Sequence, residues 1–177
     1  CGRLQQSSRQ ANNIAANLYI FTKQFRGSST YWSSALCDLL AMVRTLGPPT
    51  WFITLSCNDL NWEDIISALL KADGRPNVKP EDLSFAEKKD LVDKYPVVLS
   101  RQFMRRVHKF MAFIKTNPDI LGGKVEDFWW RIEFQFRGSP HLHLVVWCKN
   151  MPDFETEDGI NLINQIISCS LSSDDPE

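Results

Sequence analysis

The sequence predicts an α+β fold in which helices accompany strands that pair antiparallel, and three observations predict it. Apolar residues recur at helical spacing in several segments. A β-branched and aromatic run over residues 50–57 sits between a double proline and a turn. Two segments of period-2 alternation, residues 127–136 and 141–147, are joined by a short glycine-containing turn.

Taken in order, Ile14, Leu18, Phe21 and Phe25 share one helical face until Gly27, Ser28 and Ser29 break the pattern, so a first helix is expected up to about Arg26. A second starts near Thr30 and aligns Trp32, Leu36, Leu39, Leu40 and Val43 in one stripe. Gly47 supplies its C-terminal cap and Pro48-Pro49 forbid continuation. The run Thr50-Trp-Phe-Ile-Thr-Leu-Ser-Cys57 is then a buried strand ending at the turn-prone Asn58-Asp59. Residues 62–70 have helical character, whereas 71–94 are charged and carry Gly74, Pro76 and Pro80, as expected of a surface insertion.

Ser100 is positioned to cap a helix through about Thr116, with Phe103, Met104, Val107, Phe110, Met111 and Ile114 as its apolar stripe. Its other face is basic, with Arg101, Arg105, Arg106, Lys109 and Lys115. Asn117-Pro118 ends it. In the next strand Arg131, Glu133 and Gln135 alternate with Ile132, Phe134 and Phe136, and Arg137-Gly138-Ser139-Pro140 turns the chain into His141-Leu-His-Leu-Val-Val-Trp147. That strand is expected to pair antiparallel with its predecessor. A late helix near 160–167 precedes an acidic end. The expected organisation is an N-terminal helical segment over 1–28, a main domain over 29–170 and an acidic tail over 171–177.

Composition narrows the function classes. No apolar run approaches the roughly 20 residues that cross a bilayer, so no membrane partner is expected. The five cysteines (Cys1, Cys37, Cys57, Cys148, Cys169) include no C-x-x-C pair and suit a reducing compartment better than a disulfide framework. The net charge of −1 hides an asymmetry: residues 151–177 hold seven acids and no Lys or Arg, which leaves 20 basic against 14 acidic residues over 1–150. A basic body of this kind is compatible with nucleic-acid binding.

Residues i and i+2 of a strand face the same way, so His141 and His143 present two imidazoles side by side. They form a candidate metal-ligand pair; the plainer alternative is two half-buried strand histidines satisfied by their neighbours. The preceding strand offers Glu133 and Gln135 as oxygen ligands on its polar face. A five-residue loop over 136–140 would set Gln135 opposite His141 and Glu133 opposite His143. Two imidazoles and one oxygen leave coordination positions open, which suits a cation that grips a substrate phosphate better than a closed structural zinc site.

The string Glu133-Phe-Gln-Phe-Arg-Gly-Ser-Pro-His-Leu-His143 resembles the His-hydrophobic-His (HUH) motif of rolling-circle replication initiators in its Helitron transposase form. Two further segments agree with it: Tyr31-Trp32 through Gly47-Pro48-Pro49, and Phe52-Ile-Thr-Leu-Ser-Cys-Asn-Asp59 followed by Trp62. The resemblance implies a central antiparallel sheet with flanking helices. It also implies a divalent cation, manganese or magnesium, held by His141, His143 and a third polar ligand, and cleavage of single-stranded DNA through a 5′-phosphotyrosine. A helicase domain in the full-length protein, a part in DNA recombination and a nuclear location follow from the same likeness. Family enzymes take their tyrosine from a helix after the histidine strand, and this sequence departs there. Tyr19, Tyr31 and Tyr95 all precede the motif. The expectation is a nuclease-like domain cut short of its nucleophile, or a derivative that lost it.

Arg137 and Lys149, which flank the histidine strand, and Arg105 and Arg106 on the basic helix are the expected DNA contacts, with a solvated helix face as the alternative for the latter pair. Trp51, Trp129, Trp130 and Trp147 are candidates for stacking on unpaired bases or for core packing, and His108 reads as a surface residue. Competing functions are a binding module for single-stranded or transposon-end DNA that does not cut, and an iron(II) oxygenase with a His/His/carboxylate site, for which no co-substrate pocket is identifiable.

Overall fold

The computed structural model describes residues 17–135 and 138–167, and the chain divides into two compact units with the boundary between Pro48 and Pro49. The expected acidic tail over 171–177 and the start of the first helix lie outside the described residues.

In the first unit residues 17–22 are helical and 23–28 turn, so the first helix stops short of the expected Arg26. Ser28 explains the stop. Its hydroxyl donates to the carbonyls of Thr22 (2.5 Å) and Phe25 (2.9 Å) and accepts from the Tyr31 amide at 3.0 Å. One side chain thus ends the first helix and caps helix α1 (Ser29–Leu46). Gly47 follows at φ +82°, a conformation that costs a Cβ-bearing residue dearly, which is why the helix ends where the sequence indicates. The apolar stripe of α1 is not a core face: Trp32, Leu36 and Leu40 are exposed, and α1 has no buried residue.

The second unit runs β1 (Trp51–Ser56), α2 (Glu63–Ala72), a 3-10 turn at Pro80–Asp82, α3 (Phe85–Lys94), α4 (Pro96–Thr116), a 3-10 turn at Pro118–Leu121, β2 (Val125–Phe134), β3 (Pro140–Cys148) and α5 (Glu157–Ile166). The insertion is more regular than expected. Ser84 and Glu87 form a reciprocal capping box that starts α3, and Leu91 and Val92 carry it into the core. Helix α4 begins at Pro96 rather than Ser100, because proline at the first helical position forgoes only an amide that has no partner there anyway. Likewise Thr156 caps α5 by accepting from the Gly159 amide, which brings its start forward from residue 160.

The sheet has the order β1-β3-β2 with both pairs antiparallel, so the histidine strand is central. Leu142, Leu144 and Val146 on one side of β3 are fully buried and share a core with Leu99, Phe103, Val107 and Ile114 of α4 and Ile65 and Leu69 of α2. Each such side chain contributes about 1.5–3 kcal/mol by leaving water. The alternation that sends these residues into the helical core sends His141 and His143 to the opposite face.

The β2–β3 register differs from the expected one. Phe134 pairs with Pro140, Glu133 with His141 and Arg131 with His143, so Glu133 rather than Gln135 stands opposite His141. The loop has the expected five residues but comprises 135–139. Gln135 is drawn into the turn by its own backbone, whose amide donates to the Ser139 carbonyl (3.0 Å) and whose carbonyl accepts from the Gly138 amide (2.7 Å). Gly138 takes φ +83° to close that turn. Because the loop length stays odd, the faces are as expected and only the rows slide by one pair.

Candidate functional site

Three rows cross the sheet on the face away from the core. The first is Ser56, His141 and Glu133; the second is Thr54, His143 and Arg131; the third is Phe52, Val145 and Trp129. Strand β1 supplies its members through simple alternation, with Trp51, Ile53 and Leu55 half-buried and Phe52, Thr54 and Ser56 exposed.

The two imidazoles lie 4.7 Å apart between ring centroids. His141 Nδ1 shares a hydrogen bond with Ser56 Oγ at 2.9 Å. That contact fixes the ring through Nδ1, as outer partners do for histidine ligands, and leaves Nε2 as the nitrogen available to a ligand. His143 Nε2 meets Glu133 Oε2 at 3.0 Å, and Arg131 Nη2 approaches the same carboxylate oxygen at 3.4 Å. The two imidazoles and this carboxylate are the donors that would hold a divalent cation on the face, a nitrogen and oxygen set of the kind such a cation takes. Among the described residues no three His, Cys, Asp or Glu side chains form a ready-made cage. Gln135, in the turn and exposed, does not join the ladder that carries the histidines.

The four residues expected at DNA have different settings. Arg106 is held on Asp64 through two contacts (Nη2–Oδ1 2.5 Å, Nε–Oδ2 3.2 Å) and lies 4.0 Å above the Trp62 ring; the same guanidinium holds the Asp64 carboxyl below its ordinary pKa. Arg105 is exposed on α4, the helix that packs on the other side of the sheet from the histidines. Lys149 pairs with Glu126 at 3.0 Å. Arg137 lies outside the described residues. Of the tryptophans, Trp147 is buried, Trp51 donates its indole N–H to the Leu121 carbonyl (2.9 Å), and Trp130 packs against the core with His108 at its edge. By strand alternation Trp129 and Trp147 both stand on the histidine side of the sheet, Trp129 half-buried and Trp147 buried.

Several residues escaped sequence reasoning. Ser56 and Phe52 were legible in principle from the alternation of β1, but their neighbourhood with residues some 90 positions away was not. Asp59 and Ser139 form a buried pair in which the serine hydroxyl donates to the carboxylate. With the Cys57 amide donating to the Pro140 carbonyl at 3.1 Å, this pair ties the segment after β1 to the turn that launches the histidine strand.

No curated protein and no solved structure matches the chain. No helix among the described residues is long and apolar enough to cross a membrane. The sequence pattern of the family described as "Helitron helicase-like domain at N-terminus" matches residues 3–146, a span that contains β1, β2 and both histidines. With most of its length inside that match, the chain belongs to the Helitron helicase-like N-terminal domain family, and its role is transposase-related.

Proposed function

We propose that this domain grips a phosphate of single-stranded DNA through a divalent cation, manganese or magnesium, held by His141, His143 and Glu133, as the metal-binding part of a nicking and strand-transfer reaction of the rolling-circle type. The observation that carries the reading is the pair of imidazoles side by side on the open sheet face, with a carboxylate oxygen at 3.0 Å from one of them. A cation bound there would supply Lewis-acid polarisation of the scissile phosphate and neutralise charge on its oxygens. The protein's own part is to hold the two rings and the carboxylate at fixed rows of a central strand, with Ser56 fixing the His141 ring. Arg131, in the next row, balances the carboxylate when no cation is bound. A helicase domain in the full-length protein and a nuclear setting accompany this reading.

Cleavage also needs an attacking group. No tyrosine follows His143 in the sequence, and the Tyr95 hydroxyl donates to Asp73 at 2.8 Å, far along the chain from the strands. We therefore expect the 177-residue chain to bind DNA and metal but barely to cut, since a positioned nucleophile supplies both proximity and the covalent intermediate.

Calorimetry with manganese is the direct test. The parent should bind, and the double variant His141→Ala with His143→Ala should not; equal binding by both removes the site from these residues. A labelled oligonucleotide on a denaturing gel should show no covalent protein–DNA band. Its appearance would make Tyr19, Tyr31 or Tyr95 the nucleophile.

A further inference from the structure

We infer that Phe52 is the stacking platform for one unpaired nucleobase beside the phosphate taken by the histidine rows, an inference that rests on the single-strand reading of this face. Phe52 is 65% exposed, on an edge strand whose other outward residues are the small and polar Thr54 and Ser56. Its ring is nearly parallel to that of His143, with 13° between planes and 5.9 Å between centroids. Across the sheet its row continues through Val145 to the half-buried Trp129.

An exposed phenylalanine contributes nothing to the core, and its setting specifies what could cover it. The adjoining rows are lined by hydroxyls, imidazoles, a guanidinium and a carboxylate, so an apolar protein surface laid on Phe52 would bury those groups without partners. The occupant must be planar and apolar where it meets Phe52 and polar where it continues past His143. An unpaired nucleotide has that form, with a π-face on its base and a charged backbone attached. Successive residues on one face of a strand are about 7 Å apart, a step that one extended nucleotide can bridge from the His141 and His143 rows to the Phe52 row. Stacking of this kind tolerates any base, because every base has a π-face.

The test measures binding of the 177-residue chain to a short single-stranded oligonucleotide by fluorescence anisotropy at one fixed salt concentration, alongside the same oligonucleotide with abasic sites. Phe52→Ala should weaken binding to the base-bearing strand roughly 5- to 100-fold. Phe52→Tyr should bind as the parent does, and the abasic strand should bind parent and Phe52→Ala alike. Because Phe52 lies outside the core, thermal melting of all three proteins should coincide. Equal binding of the base-bearing strand by the parent and Phe52→Ala overturns the platform while leaving the single-strand reading intact, as does an equal loss on both oligonucleotides. Failure of the parent to bind either strand overturns both.

Discussion

Replacing Asp59 with alanine removes the acceptor of the Ser139 hydroxyl at a place closed to water, since the two residues are 6% and 2% exposed. A hydrogen bond to a charged partner contributes roughly 1.5–3 kcal/mol, and a buried hydroxyl left unpaired costs about 1–3 kcal/mol. Asp59→Ala should therefore cost about 2 kcal/mol. Ser139→Ala should cost at least as much, because it strands a buried carboxylate, the costlier of the two groups to leave unpaired. Once either partner is gone the other contributes nothing through this bond, so the double variant should fall short of the sum of the singles by at least about 1 kcal/mol. Urea unfolding followed by tryptophan fluorescence measures all three; five of the six tryptophans lie after Pro49, so the signal reports the second unit. The midpoint should move with the slope unchanged. Single-variant losses that add to within about 0.5 kcal/mol in the double variant would show that the pair is not coupled, and would refute its role as the clasp between the β1 exit and the β2–β3 turn.

Two further outcomes follow from charge and burial. The Asp73 carboxyl is held at about 2 by the Lys94 ammonium first, then by the Tyr95 hydroxyl and Arg75. Its folded-state pKa lies below the ordinary value of about 3.9, so the stability it contributes is present above about pH 4 and is lost as pH falls toward 2; Asp73→Asn should flatten urea midpoints across that window, and an unchanged pH profile would dismiss the network. Burial, followed by the Asp59 charge, pushes the Cys57 thiol up to about 12, so iodoacetamide at pH 8 should alkylate the exposed Cys37 and leave Cys57 unmodified by mass spectrometry. Rapid modification of Cys57 in the folded protein would contradict its placement.

Much of the fold was legible because its signals are local. Gly47 with Pro48-Pro49 ends α1 through steric rules that need no tertiary partner, and Asn117-Pro118 does the same for α4. The capping box of Ser84 and Glu87 is equally local, but the charge and prolines around it make residues 71–94 read as a surface insertion and mask α3. The exposed stripe of α1 shows the converse: helical period identifies an apolar face without saying what covers it.

At the site, His141 and His143 face one way and Leu142 and Leu144 the other by strand alternation alone, since a period of two admits no other arrangement. An odd loop likewise placed Glu133 on the histidine side. Which residue stands opposite which depends on contacts that alternation does not encode. Hydrogen bonds in the 135–139 turn consume the Gln135 backbone and slide Glu133 to His141, a choice made at the turn and invisible to periodicity. The meeting of Ser56 with His141, of Phe52 with His143 and of Asp59 with Ser139 belongs to the pairing of β1 with β3, residues some 80 to 90 positions apart. Arg106, one of several equivalent basic residues in the sequence, is singled out by Asp64 of α2 and by Trp62 just before that helix. Periodicity fixes the direction in which a side chain points, but the partner it finds there depends on long-range packing that brings distant segments together around one core.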